Sequence, residues 1–157
     1  SREVQAEGWS FNKEFHYDMT PDSNNEILIA NNILQIDAAK NAANVHMDVI
    51  RRSGKLYDKA HHTYTFTKKV SCDITWLLDW VDLPTPIADF ITARAATIVQ
   101  SRIVGDPNQY QMLQQKEQSA RAMAMEYECN QGDYTFFGHP GETNTYNSYK
   151  PYNALYR

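Results

Sequence analysis

Residues 82–107 read DLPTPIADFITARAATIVQSRIVGDP, and two helix starts bracket this stretch. At the first, the Thr85 hydroxyl can cap a helix and Pro86 suits its first position, which needs no amide donor. At the second, Asp106 and Pro107 repeat the device directly after Gly105, a residue that readily takes the left-handed conformation in which helices end. The pattern predicts one helix over 86–104 and another over 107–130. In the first, Ile87, Ile91, Ala95, Ile98 and the aliphatic stem of Arg102 recur at a 3.6-residue rhythm, and Phe90, Val99 and Ile103 widen that face. In the second, Tyr110, Leu113, Glu117, Ala120, Ala124 and Tyr127 form a seam of mostly small residues, with Ala122, Met123 and Met125 beside it. Glutamines at 109, 111, 114, 115 and 118 keep the opposite side wet. So short a connection requires the helices to fold back as an antiparallel hairpin. At roughly 24 residues and ~1.5 Å per residue the second helix is about 36 Å long, more than a small domain requires, and it is expected to have partners on more than one side.

Toward the N-terminus the pattern changes to strands separated by turn chemistry over 9–82, with residues 20–25, TPDSNN, as the clearest loop. Ile27 and Ile29 alternate with Leu28 and Ala30, Val45 and Met47 with His46 and Asp48, and Tyr64 and Phe66 with Thr63, Thr65 and Thr67. Residues 49–58 read as a β-hairpin hinged at Gly54. No strand is continuously apolar, which argues against a parallel sheet covered on both faces. Residues 1–8 look like the last turns of a helix stopped by Gly8, and a chain opening on Ser1 leads to the expectation that helical sequence precedes it. The fold class is therefore α+β: an antiparallel β-sheet region, a long antiparallel helix hairpin forming part of a helical bundle, and an extended C-terminal arm. The segments are 1–8, 9–82, 83–130 and 131–157.

The arm is set apart by its chemistry. After Gly132 neither helical nor alternating periodicity survives, while Tyr134, Phe136, Phe137, Tyr146, Tyr149, Tyr152 and Tyr156 keep it dense in aromatics in an Asn-, Ser- and Pro-rich setting. Tyrosine offers contact area and a hydroxyl at modest entropic cost, so these seven residues are the candidate partner interface, against the alternative of a disordered tail.

The 157 residues carry 42% apolar and 22% charged residues with a formal charge of −4, enough for one core and against a protein that grips nucleic acid through a basic face. Cys72 and Cys129 lie 57 positions apart without a second Cys or His at ligand spacing, so free and mostly buried thiols in a reducing compartment are expected. No apolar run approaches a membrane span. Asp79 with Asp82 is the most tempting carboxylate pair, yet both flank Trp80 in an acidic turn before a helix, where carboxylates favour the helix N-terminus. His61 with His62, or His46 with Asp48 on one strand face, would need a third metal ligand that no spacing supplies. Phosphate loops, nucleophile elbows and the helical His-Glu-x-x-His pattern do not occur. Catalytic residues, metals and cofactors are accordingly expected to be none.

Four segments in order resemble the tail tubular protein A, or adaptor, family of autographivirus-type short-tailed phages. They are residues 8–12 (GWSFN) after a helix end, the hairpin 52–58 (RSGKLYD), residues 79–84 (DWVDLP) before the first long helix, and residues 124–128 (AMEYE) late in the second. The resemblance implies a structural virion protein, assembled in the host cytoplasm: a ring of twelve copies between the portal protein and the tail nozzle, tail tubular protein B. It further implies a channel that DNA crosses without specific binding, and a platform near which a tail fibre attaches. No catalytic residues carry over, and the arm after Phe137 departs from the family pattern. Two other readings compete. A tail-associated polysaccharide or peptidoglycan hydrolase would need two of Asp18, Asp48, Asp79, Asp82 and Glu126 facing each other about 5 to 10 Å apart across a cleft. A free-standing DNA-binding module would need a basic face.

Overall fold

The computed structural model describes residues 1–39 and 47–132. It is an α+β fold in which a small β-sandwich and a helix hairpin meet across the N-terminal segment. The chain opens with a one-turn helix, α1 (Arg2–Gln5). Gly8, at φ 77, then turns the backbone in the left-handed region that favours glycine, past the end of the Lys13 side chain. Strands β1 (Lys13–Met19), β2 (Ile33–Ala38), β3 (Val49–Arg52), β4 (Lys55–Asp58) and β5 (Val70–Trp76) follow.

Strand β5 is the middle of a three-stranded antiparallel sheet of order β1-β5-β2, while β3 and β4 form a separate hairpin. Along β5 the inward residues Val70, Cys72 and Ile74 are buried, and Ser71 and Asp73 point the other way. The hairpin answers with Val49 and Leu56, and extended connections add Ile27, Ile29 and Phe66, which closes a two-layer apolar core. Residues 27–30 and 63–67 do show the expected alternation, Ile27 and Ile29 in with Leu28 out, but they are not strands. Each touches the hairpin through isolated pairings, Leu28 with Lys55 and Thr63 with Asp58. The β3–β4 turn is tight, with both Ser53 and Gly54 at positive φ.

Helix α2 (Thr85–Val99) and helix α3 (Pro107–Gln131) form the antiparallel hairpin. Pro84, not Thr85, occupies the N-cap of α2, so that helix starts without a side-chain cap. Asp106 caps α3, accepting from the Asn108 amide at 3.0 Å. Helix α2 does not run to Val104 with α geometry: residues Gln100–Val104 form a π-helical turn that ends at Gly105 in the left-handed region, φ 71.

The inward face of α2 also differs from the expected stripe. Ile87, Phe90 and Ile91 are buried as expected, but the line then continues through Ala93, Thr97 and Gln100, leaving Ala95, Ile98, Val99, Arg102 and Ile103 exposed. Backbone approach explains the choice. The Thr97 hydroxyl, bonded within its own helix to Ala93 O at 3.1 Å, also reaches Leu113 O of α3 at 3.4 Å, an approach that a larger aliphatic side chain would hold apart. On α3 the expected seam holds at Leu113, Glu117, Ala120, Ala124 and Tyr127, with Tyr110 at its exposed margin.

Candidate assembly interface

The residues joining the two halves come from the first twelve positions. The Trp9 indole N–H donates to Val4 O at 2.7 Å, and Val4 and Trp9 pack with Leu83, Ile87, Phe90, Ile91 and Ala124. Asn12 is buried; its Oδ1 accepts from the Trp9 amide at 2.9 Å and its Nδ2 donates to Gln5 O at 2.9 Å and Trp76 O at 2.8 Å. Gln5 is buried too, donating to Leu78 O at 3.1 Å and accepting from the Leu78 amide at 2.8 Å. From the other side, the Glu128 carboxylate of α3 receives the Ser10 amide at 2.9 and 3.0 Å and the Ser10 hydroxyl at 2.8 Å. Sequence reasoning singled out residues 8–12 but not these roles, because the partners are mostly backbone groups dozens of positions away.

Charged pairs reinforce the same junction. Arg94 of α2 bridges Glu3 and Glu117, and Arg121 of α3 reaches Glu7 at 3.3 Å. The Glu3 hydrogen bond raises the Arg94 pKa, and Arg94 in turn holds the Glu3 carboxyl below the usual range. The Arg121 guanidinium also lies 5.6 Å from the Phe90 ring centroid.

Beyond this junction the helix hairpin is bare. Among the described residues of α3 only Ala124 and Glu128 are buried, and none of its first half is. At the hairpin tip Ile98, Val99, Ile103, Val104 and Met112 are exposed, Ile103 to 77% and Met112 to 70%. A shallow cleft of about 290 Å³ runs between α2 and α3 there, lined by Arg94, Thr97, Tyr110, Gln114 and Glu117 among others. The Nε of Arg94, which lines it, and the Nε2 of Gln100 are buried without a hydrogen-bond partner. Apolar side chains clustered at the end of a projecting hairpin are characteristic of a surface that another chain covers.

The proposed catalytic carboxylates do not converge. Asp18 lies on β1, Asp48 before β3, Asp79 and Asp82 around the 3-10 turn Trp80–Asp82, and Glu126 on α3; all are exposed, Asp48 is paired to Lys59 at 2.7 Å, and none lines the cleft. His61 is held by Asp58 at 2.6 Å, and the Tyr57 hydroxyl lies 3.4 Å from the His62 ring. Burial pushes the Asp58 pKa up, but the His61 ring and the Ala60, His61 and Asp48 amides outweigh it, leaving the carboxyl below its ordinary value. Among the described residues no group of three His, Cys, Asp or Glu side chains could hold a metal ion, and no helix is long and apolar enough to cross a membrane. Both cysteines are free; Cys72 is buried as expected, whereas Cys129 is exposed on α3. His46 and the interface candidates Tyr134, Phe136, Phe137, Tyr146, Tyr149, Tyr152 and Tyr156 lie outside the described residues.

A family model described as tail tubular protein matches residues 1–134, most of the chain. No curated protein matches it.

Proposed function

The chain belongs to the tail tubular protein family, structural components of the phage tail, and we propose that it is the adaptor subunit of that tail. Twelve copies form a ring between the portal protein and the nozzle, tail tubular protein B. The ring encloses part of the DNA channel and offers a site near which a tail fibre attaches. The virion tail is where the protein works; assembly takes place in the host cytoplasm, and no turnover is involved.

The observation that carries this reading is the bare helix hairpin: a 25-residue α3 with two buried residues and an apolar tip. A ring of identical wedges needs a rigid element at each lateral contact, and the clamped hairpin supplies one. The net charge of −4 suits a conduit that guides DNA without retaining it. The C-terminal segment 131–157 serves as the arm that reaches a neighbour or the portal, with Tyr134, Phe136, Phe137, Tyr146, Tyr149, Tyr152 and Tyr156 as its anchors.

Light scattering and native mass measurements, with and without portal protein, test the proposal. A ring, or a portal-dependent assembly, is expected. Truncation after Phe137, or replacement of Tyr146, Tyr149 and Tyr152 by Ser, should leave helicity and thermal midpoint nearly unchanged and weaken association. Buried aromatic anchors often contribute about 2 kcal/mol each. A persistent monomer that cleaves glycan would overturn the adaptor reading.

A further inference from the structure

The β-sandwich has two outer faces of opposite chemistry. On the β1-β5-β2 sheet, the residues pointing away from the core include Asp18, Asp73 and Asp37. Asp37 and Asp73 are direct cross-strand partners, with Asp18 opposite Ser71 two positions along β5. Like charges opposite each other on adjacent strands destabilise a sheet, so a cation brought onto this face relieves a cost already built into the fold. None of the three has an ion-pair partner among the described residues.

The opposite face, on the β3–β4 hairpin, turns outward Ile50, Arg52, Lys55 and Tyr57, and with Lys55 paired to Glu26 at 2.6 Å it offers the exposed Arg52 as its cation. Of the hairpin's outward side chains, Arg52 stacks over the Tyr57 ring at 4.3 Å, Tyr57 packs on Tyr64 at 4.7 Å, and Ile50 is 43% exposed. Leu28, beside the hairpin, is 64% exposed. Arginine and tyrosine around exposed aliphatics is the composition of a protein-binding hot spot.

We infer that the occupant of this hairpin face is a second copy of the chain, seated through its Asp18, Asp37 and Asp73 face. The two surfaces lie on opposite sides of one core about 10 Å thick, so they cannot both meet the same neighbour in a two-fold dimer. Such a contact is head-to-tail, the kind that builds a ring where the rotation between neighbours closes. The inference rests on the ring reading above and assigns that ring a lateral contact.

The test uses the full chain with Arg52→Glu and Asp37→Lys, both exposed positions. Each single variant should associate at least tenfold more weakly than wild type in light scattering and sedimentation. Mixing the two, or combining them in one chain, should restore assembly, because every contact again joins opposite charges. Rescue also establishes that the variants fold. If wild type assembles and both single variants assemble equally well, the contact is wrong and the ring reading stands. Failure of both the mixture and the double variant to recover overturns the contact as well. A wild type that stays monomeric with and without portal overturns the ring reading, and this contact with it. Duplex DNA binding that Arg52→Glu abolishes, with assembly unchanged, gives the hairpin to DNA and refutes the second copy as its occupant.

Discussion

Replacing Asn12 by Ala should be among the most damaging single changes that remove no apolar bulk. The side chain is almost fully buried and makes three hydrogen bonds, all to backbone: one accepted from Trp9 N and two donated, to Gln5 O and Trp76 O. Alanine removes all three, stranding Trp9 N and Trp76 O, while Gln5 O keeps the Gly8 amide at 3.2 Å. At about 1 to 3 kcal/mol for each of the two stranded groups, reduced because the vacated space can admit water, the loss should come to about 2–4 kcal/mol. A domain of this size commonly has about 5–15 kcal/mol in hand. Urea unfolding followed by circular dichroism should therefore show a much lower midpoint at an unchanged slope. Asn12→Asp preserves the acceptor for Trp9 N but loses both donors and buries a charge, so it should be no milder at neutral pH. A destabilisation below about 1 kcal/mol for Asn12→Ala would refute the reasoning, since it would mean that the N-terminal segment is not held by this residue.

Three further outcomes follow from the same geometry. Burial, with Asp73 and Asp37 adding to it, pushes the Cys72 thiol up to about 12, so a thiol reagent at pH 8 should label Cys129 quickly and Cys72 only on unfolding; rapid native labelling of both would contradict this. The folded pKa of Asp58 is depressed, so its contribution is complete above the unfolded value of about 3.9 and is lost as pH falls through the lower folded value; Asp58→Asn should destabilise at pH 7 and flatten the acid limb of stability, and an unchanged acid limb would refute it. Asp79→Asn with Asp82→Asn should leave assembly intact and cost about 0.3 to 1 kcal/mol of stability, and a glycan hydrolysis that disappears with either change would defeat the structural reading.

The helix hairpin was legible because its punctuation is local: Pro86, Gly105, Asp106 and Pro107 act through their own backbone positions. The phase of α2 beyond Phe90 was not, since Ile98, Val99 and Ile103 are apolar wherever they point. Which side faces α3 is decided by how closely Ala93 and Thr97 let the helices approach, a property of the pair. In the β region the alternation at Ile27–Ile29 reported burial correctly but not strand pairing, because an extended connection lying on a hairpin buries alternate residues just as a strand does. The central strand β5 is faint in the sequence for a related reason. Its inward Val70, Cys72 and Ile74 and outward Ser71 and Asp73 form a modest alternation, and its importance lies in having neighbours on both sides. Gln5, Asn12 and Glu128 carry no pattern at all, being single polar residues whose partners lie up to 118 positions away.

That junction matters for the proposed ring in a way that separate contacts do not. A subunit touching neighbours through both its hairpin and its sandwich sets the ring's curvature by the angle between those parts. Two rigid parts on a compliant joint would give a spread of angles and hence open or irregular assemblies. The N-terminal segment removes that compliance from several sides: Asn12 and Gln5 fix it to the end of β5 and to Leu78, Trp9 fills the α2–α3 core, and Glu128 and Arg94 hold it to the helices. Most of these interactions are short-range, directional hydrogen bonds between buried partners, which resist rotation where apolar packing alone would permit sliding. Weakening one without unfolding the chain, as with Ser10→Ala against Glu128, should therefore broaden the distribution of oligomer sizes before it lowers the thermal midpoint appreciably. The hydroxyl bond at 2.8 Å is lost while both amide bonds to the carboxylate remain. Native mass spectrometry showing one unchanged assembly size alongside a large loss of stability would reverse that order, and would make the junction a matter of folding alone.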